Sequence, residues 1–105
     1  MLIEHRTYTL KPLRAGDFVK LYEELALPLQ LHYLGHLVGF FTTEVGTLNQ
    51  VVHLWAFDSM AERERRRAEM EQDPRWAVYR EALRALDVIV HQETQMLRSV
   101  AFSPV

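Results

Sequence analysis

The chain has 105 residues, of which 49% are hydrophobic and 25% are charged, and these values are typical of one soluble globular domain spanning 1–105. The absence of cysteine excludes disulfides, thiolate metal sites and a cysteine nucleophile, and it fits a reducing cytoplasm. The formal net charge of -2 and the lack of a long apolar run predict that the protein neither binds nucleic acid nor spans a membrane, and the N-terminal residues do not resemble a signal peptide.

The first predicted strand runs from Leu2 to Leu10 and alternates between two faces. Lys11-Pro12 ends it, because proline cannot continue a central ladder. One face carries Glu4, Arg6 and Tyr8, and the other carries Ile3, His5, Thr7 and Thr9.

Apolar residues then recur at helical spacing and predict a helix from about Arg14 to Tyr33. Pro28 lies inside this helix and lacks a backbone donor, so we expect a kink or a break near Ala26. Gly35 is placed to end the helix.

Two β-rich runs follow, from His36 to Val45 and from Gln50 to Phe57, and the four residues between them predict a hairpin. Both faces of these runs are apolar. In the first run Leu37 and Phe41 are expected on one side and Val38 and Phe40 on the other; in the second, Val51 and Phe57 oppose Val52 and Leu54.

Ser59, followed three residues later by Glu62, has the form of a capping box and predicts the start of a second helix. Asp73-Pro74 predicts a break in that helix, as an N-cap followed by a proline at the first helical position. The segment beyond the break has one apolar face, and Val88 to Leu97 is the fourth predicted strand. That face consists of Trp76, Tyr79, Leu83 and Leu86.

The resulting order, β-α-β-β-α-β, predicts an α+β ferredoxin-like fold with a four-stranded antiparallel sheet and both helices on one face. A sheet with one face in water should alternate apolar and polar residues, and these strands do not. Most soluble oligomers are symmetric homo-oligomers, so we expect a homodimer in which the sheet faces pack together; assembly beyond the dimer is left open.

Four segments resemble the NIPSNAP family, in the same order along the chain: Arg6 to Pro12, Leu37 to Phe40, Asn49 to Arg67, and Phe102 to Pro104. The resemblance implies a dimeric α/β barrel, in which two ferredoxin-like subunits close their sheets together. It implies no defined reaction. More distant members of that superfamily include antibiotic-biosynthesis monooxygenases and haem-degrading enzymes, whose ligands generally lie between sheet and helices.

A polar cluster is predicted on the central strands. His53 and Trp55 share a side of the third strand, and the topology places the first strand beside it, with Arg6 and Tyr8 nearby. Imidazole can transfer protons near neutral pH, and a guanidinium can hold a carboxylate with two hydrogen bonds. In the alternative, Arg6 pairs with a glutamate (Glu4, Glu44 or Glu93), while His53 and Trp55 find backbone partners at the dimer interface.

Aromatic residues predict a pocket between the split helix and the sheet. The candidates to line it are Tyr22, Tyr33, Trp76 and Tyr79, and the alternative is that such residues pack the helices on the sheet. His32 and His36 have the spacing of a helical metal pair but no evident third ligand, so no metal site is predicted. No residue is singled out as a haem ligand, and no cofactor is predicted.

The arginine-rich stretch of the second helix pairs with glutamates four residues away and predicts a solvated face, not an anion site. The expected pairs are Glu62 with Arg66, Arg65 with Glu69, and Arg67 with Glu71.

Two functions remain open. One is a binding module for a small molecule or a protein, without a defined reaction. The other is a small enzyme, either a cofactor-independent monooxygenase-like protein or a haem-handling one, acting on a hydrophobic or aromatic compound. The second rests on fold analogy.

Overall fold

The structure is a computed structural model that describes all residues from Met1 to Val105. Its four strands are β1 (Leu2–Leu10), β2 (Leu37–Thr42), β3 (Gln50–Phe57) and β4 (Ile89–Arg98). Its helices are α1 (Ala15–Leu21), a π-helical segment (Tyr22–Ala26), α2 (Leu27–Tyr33), α3 (Met60–Glu71) and α4 (Pro74–Leu86). None of these helices combines the length and the hydropathy needed to cross a lipid bilayer.

The strands form one antiparallel sheet in the order β2-β3-β1-β4, which confirms the ferredoxin-like α+β fold. The central strand β1 pairs with β3 on one side and β4 on the other. In this register Arg6 lies opposite His53, and Glu4 lies opposite Trp55. The predicted adjacency of Arg6 and His53 is therefore confirmed.

The first helix contains the predicted irregularity. Pro28 has no amide hydrogen to donate, and the helix takes one π turn immediately before it, where the Leu27 amide donates to the Tyr22 carbonyl five residues back. The break predicted near Ala26 is thus a π-helical segment that keeps the helix continuous. Gly35, with a φ of 87°, follows the last helical turn as predicted.

The hairpin differs from the prediction. Strand β2 ends at Thr42 instead of Val45, so the connection spans 43–49 instead of four residues. Gly46 and Asn49 both have positive φ angles, which interrupt a ladder, and Val45 is 90% exposed, so no burial favours a longer strand. A register shift between Leu37 and Gly39 changes which side chains share a face.

That shift makes one predicted pairing of side chains wrong. Leu37 lies opposite Trp55 and packs into the core, whereas Phe41 lies opposite Val52 and is exposed. The two residues are therefore on opposite faces of the sheet, because the bulge adds one residue to β2 between them.

The split second helix is confirmed. The Ser59 hydroxyl accepts a hydrogen bond from the Glu62 amide at 3.1 Å, and the Glu62 carboxylate accepts one from the Asp58 amide at 2.7 Å. The reciprocal bond thus reaches one residue further back than in the usual capping box. Asp73 caps α4 by accepting from the Arg75 amide at 2.9 Å.

Both core clusters lie on the sheet face that carries Tyr8, Val51 and Trp55. The larger one joins this face to the first helix and α4, and the smaller one joins it to α2 and α3. Full burial of a side chain such as Phe18 contributes about 1.5–3 kcal/mol. The opposite face, on which Ile3, Val52 and Leu54 lie, takes no part in either cluster.

Candidate functional site

A cavity of about 520 Å³ opens between the β1–β4 half of the sheet and α4. The π-helical segment, α2 and α3 complete its wall. Five of the eight predicted site residues line it, namely Arg6, Tyr8, Tyr22, Trp76 and Tyr79. The lining residues that were not predicted are Gln30, Arg67, Glu71, Arg80, Leu83, Arg84, Asp87, Val88, Ile89 and Gln92.

One wall of the cavity is aromatic. The rings of Trp76 and Tyr79 lie 5.2 Å apart, and Tyr79 meets Tyr22 edge to face at 6.1 Å. Burial raises the pKa of Tyr22 and of Tyr79 far above the usual value, so both phenols keep their protons at neutral pH. These rings can contact an apolar ligand and can also donate hydrogen bonds.

Arginines form a second part of the lining, the arginine wall. Arg6, Arg67, Arg80 and Arg84 line the cavity, against two carboxylates, Glu71 and Asp87. Burial, together with the nearby charge of Arg6, lowers the pKa of Arg67. The cavity therefore carries more positive than negative charge on its walls.

A buried carboxylate anchors this arginine wall. Glu4 is 1% exposed and accepts hydrogen bonds from Arg63 Nε at 3.1 Å and Arg63 Nη2 at 2.9 Å. Arg6 Nη1 lies 3.8 Å from the same carboxylate. Burial alone would raise the pKa of Glu4, but the Arg63 hydrogen bonds and the neighbouring arginine charges outweigh it and lower that pKa below 4.5.

His53 and Trp55 do not line the cavity, although they adjoin it. Trp55 Nε1 donates to His53 Nδ1 at 2.9 Å, which leaves the proton of the neutral imidazole on Nε2. Burial lowers the pKa of His53 to about 3. The imidazole packs among the rings of Tyr8, Tyr22 and Phe40.

The expectation that His53 and Trp55 find backbone partners at a dimer interface is wrong. They bond to each other, and they face the helices because residues 51, 53 and 55 share the core side of β3. The expected pairing of Arg6 with Glu4 is observed at 3.8 Å.

Tyr33 lies apart from the cavity. Its hydroxyl donates to Asp73 Oδ2 at 2.8 Å, which ties α2 to the junction of α3 and α4. Its contribution is to the arrangement of the helices.

The expected i, i+4 ion pairs on α3 are present, at 2.7 Å for Glu62–Arg66, 3.5 Å for Arg65–Glu69 and 3.8 Å for Arg67–Glu71. The prediction of a solvated face is nevertheless wrong for Arg67, whose side chain is only 19% exposed. Arg63 and Arg67 share a helix face with buried Met70, at spacings of four and three residues. That periodicity marks the face turned toward the sheet.

No group of three or more histidine, aspartate, glutamate or cysteine residues is arranged to hold a metal ion. None of the five histidines lines the large cavity, and His36 instead borders a smaller one of about 210 Å³ near Met1.

Comparison with known proteins identifies the family of this chain. The NIPSNAP family matches residues 3–104. The human protein NipSnap homolog 3A is 34% identical over 74 residues, which are 70% of this chain and 29% of that protein, so the chain spans less than a third of this curated relative.

Two solved structures show the same fold. A crystal structure of an Agrobacterium tumefaciens protein is 38% identical and superposes with a TM-score of 0.94, over 100% of this chain and 99% of that one. A Nitrosomonas europaea protein named after antibiotic biosynthesis monooxygenases is 8% identical, with a TM-score of 0.67 over 95% of this chain and 99% of that one, and shares the fold alone. By its match over residues 3–104, the chain belongs to the NIPSNAP family.

Proposed function

We propose that the protein is a binding module for a small hydrophobic or aromatic molecule, which it holds in the cavity between the sheet and α4. The observation that carries this proposal is a cavity of about 520 Å³ whose lining combines aromatic rings with arginines and other polar groups. Binding pockets for small molecules typically measure about 300–1,000 Å³ and combine apolar walls with a few convergent polar groups.

The arrangement suits binding better than it suits a defined reaction. The tyrosines that line the cavity keep their protons because burial raises their pKa, so they offer hydrogen-bond donors and not a phenolate base. What the walls offer is ring surface, phenolic donors and guanidinium groups.

A homodimer through the open sheet face is part of the proposal. Phe41, Val52 and Leu54 lie on that face, outside both core clusters, and Phe41 is 53% exposed. A second copy would cover these side chains and leave the cavity, on the helix side, free to bind ligand. A cytoplasmic location belongs to the same proposal, and the cysteine-free sequence supports it.

A second candidate is an enzyme acting on the same class of ligand. His53 favours it, because its Nε2 is buried without a partner and its ring lies 5.6 Å from that of Tyr22, which lines the cavity. Such a buried, unpartnered imidazole would be available to a ligand that displaced Tyr22. Turnover of a bound compound, lost in His53→Gln, would establish the enzyme in place of the binding module.

The proposal is tested by ligand binding, with and without a large side chain that fills the cavity. Purified protein would be screened for a co-purifying ligand by native mass spectrometry, and then titrated with a library of one- to three-ring aromatic compounds by calorimetry. In Leu83→Trp a large side chain replaces one that lines the cavity, and Val78→Trp places the same indole on an exposed position of α4.

Binding is expected in the wild type and in Val78→Trp, and loss of binding is expected in Leu83→Trp. Equal binding by both variants would show that ligands bind elsewhere, and absence of binding across the library would contradict the proposal.

A further inference from the structure

Two of the four arginines that line the cavity, Arg6 and Arg67, lie at its inner end and are mostly buried, whereas Arg80 and Arg84 are exposed. Arg6 and Arg67 are each about one-fifth exposed, and each lies 3.8 Å from its only carboxylate partner. Glu4, the partner of Arg6, is already bound by two nitrogens of Arg63. At the mouth, by contrast, Arg84 bonds Glu81 at 2.6 Å and Asp87 bonds Lys11 at 3.1 Å.

Three polar atoms around this inner end are buried without a hydrogen-bond partner. They are Nε of Arg6, the hydroxyl of Tyr22 and Oε1 of Gln30, and all three residues line the cavity. Tyr22 and Gln30 are 3% and 4% exposed. About 90% of buried polar groups have partners in protein structures, so three unpartnered atoms on side chains that line one cavity mark a place where a polar ligand or an ordered water would find hydrogen-bond partners.

These observations also restrict the chemistry of that partner. A cation would be repelled by Arg6 and Arg67, and a purely apolar molecule would leave the three polar atoms unpaired and give the two guanidinium groups no further partner. A planar carboxylate matches the geometry of a guanidinium, which can bind it with two parallel hydrogen bonds.

We propose that Arg6 and Arg67 bind the carboxylate of an aryl or hydrophobic carboxylic acid, whose ring packs against Trp76 and Tyr79. A polar substituent of the same ligand meets the Tyr22 hydroxyl and Gln30 Oε1. This inference rests on the proposed function and names the class of ligand that the cavity selects.

The test compares charged and neutral ligands of the same shape. A panel of one- to three-ring arylcarboxylic acids, including 2-naphthoate and 4-hydroxyphenylacetate, would be titrated beside the matching neutral amides by calorimetry. The variants are Arg67→Gln, Arg67→Lys and Tyr22→Phe. Arg65→Gln is the control, because Arg65 lies on the same helix, is 60% exposed and pairs with Glu69 away from the cavity.

The acids are expected to bind about 10-fold or more tightly than their amides, since a charge-assisted contact adds roughly that factor. Arg67→Gln should remove most of this preference, Arg67→Lys should restore part of it, and Arg65→Gln should leave it unchanged. Tyr22→Phe should weaken the binding of only those ligands that carry a polar substituent. Circular dichroism of each variant would verify that it folds.

Acids and amides that bind equally well would overturn the carboxylate site while leaving the cavity as a binding site. Failure of both classes would instead overturn the proposed function, and this inference with it. Preference for acids that survives in Arg67→Gln and in a folded Arg6→Gln would show that the anion is held elsewhere.

Discussion

Replacing Glu4 with glutamine removes the carboxylate that holds the arginine wall in place. Glu4 is 1% exposed and accepts two hydrogen bonds from Arg63, at 2.9 and 3.1 Å, with Arg6 at 3.8 Å. The neutral amide keeps the shape of the side chain but leaves Arg6 and Arg63 without this countercharge. The variant thus tests whether the ion pair is needed to hold these groups beneath the cavity.

The expected cost can be worked from the geometry. Removing one partner of a fully buried ion pair costs about 3–5 kcal/mol. Arg63 keeps 18% of its side chain in contact with solvent and retains Glu64 at 3.0 Å, which reduces the cost to about 2–3 kcal/mol. With a urea m-value of about 1 kcal/mol/M, the unfolding midpoint should fall by roughly 2–3 M.

The assay is urea unfolding followed by tryptophan fluorescence, at one fixed protein concentration so that any association affects all variants equally. Glu64→Gln is the matched control, because Glu64 bonds the same Arg63 but is 68% exposed. It should cost less than about 0.5 kcal/mol. A Glu4→Gln midpoint within 0.3 M of wild type, at an unchanged m-value, would refute the reasoning.

Three further predictions concern other parts of the molecule. His53 has a pKa near 6.5 in the unfolded chain and about 3 in the folded one, so the free energy of unfolding should fall as the pH drops below 6.5, by about 2 kcal/mol at pH 5. Denaturant curves at neutral pH and at pH 5 should show a smaller fall for His53→Gln than for the wild type. Asp73→Ala removes the cap of α4 and the hydrogen-bond acceptor of Tyr33, and thermal unfolding should show a loss of about 1–2 kcal/mol of stability. The control, Asp17→Ala at the exposed start of α1, should lose less than about 0.5 kcal/mol. In light scattering the wild type should have twice the chain mass of 12.4 kDa, and Leu54→Arg should have the mass of a monomer. Leu13→Arg is the control, because Leu13 is exposed, and it should remain a dimer. A monomeric wild type would contradict the proposed dimer.

The fold could be predicted from local signals because those signals agree with one another. Ser59, Asp73 and Gly35 each have side-chain or backbone properties that mark a helix end, and each stands where the structure has one. The topology then placed Arg6 beside His53. The bulge in β2 was not predicted, although Gly39 is an isolated glycine inside a strand, which is a signal for a bulge.

The candidate site was only partly accessible from sequence. Its strand residues follow from the topology and Tyr22 from the aromatic pattern, but Gln30 lies beyond the π turn, which rotates the two halves of the helix relative to each other. Arg67 was assigned to solvent because its i, i+4 partner Glu71 accounts for its charge locally. Such pairs describe one helix and carry no information about the sheet beneath it.

The most direct test of the central claim is a crystal structure of the protein in complex with the tightest-binding acid of the panel. The account predicts electron density in the cavity, with the carboxylate within hydrogen-bond distance of Arg6 and Arg67 and the ring against Trp76. An empty cavity with the ligand bound elsewhere, or a carboxylate turned away from both arginines, would contradict it.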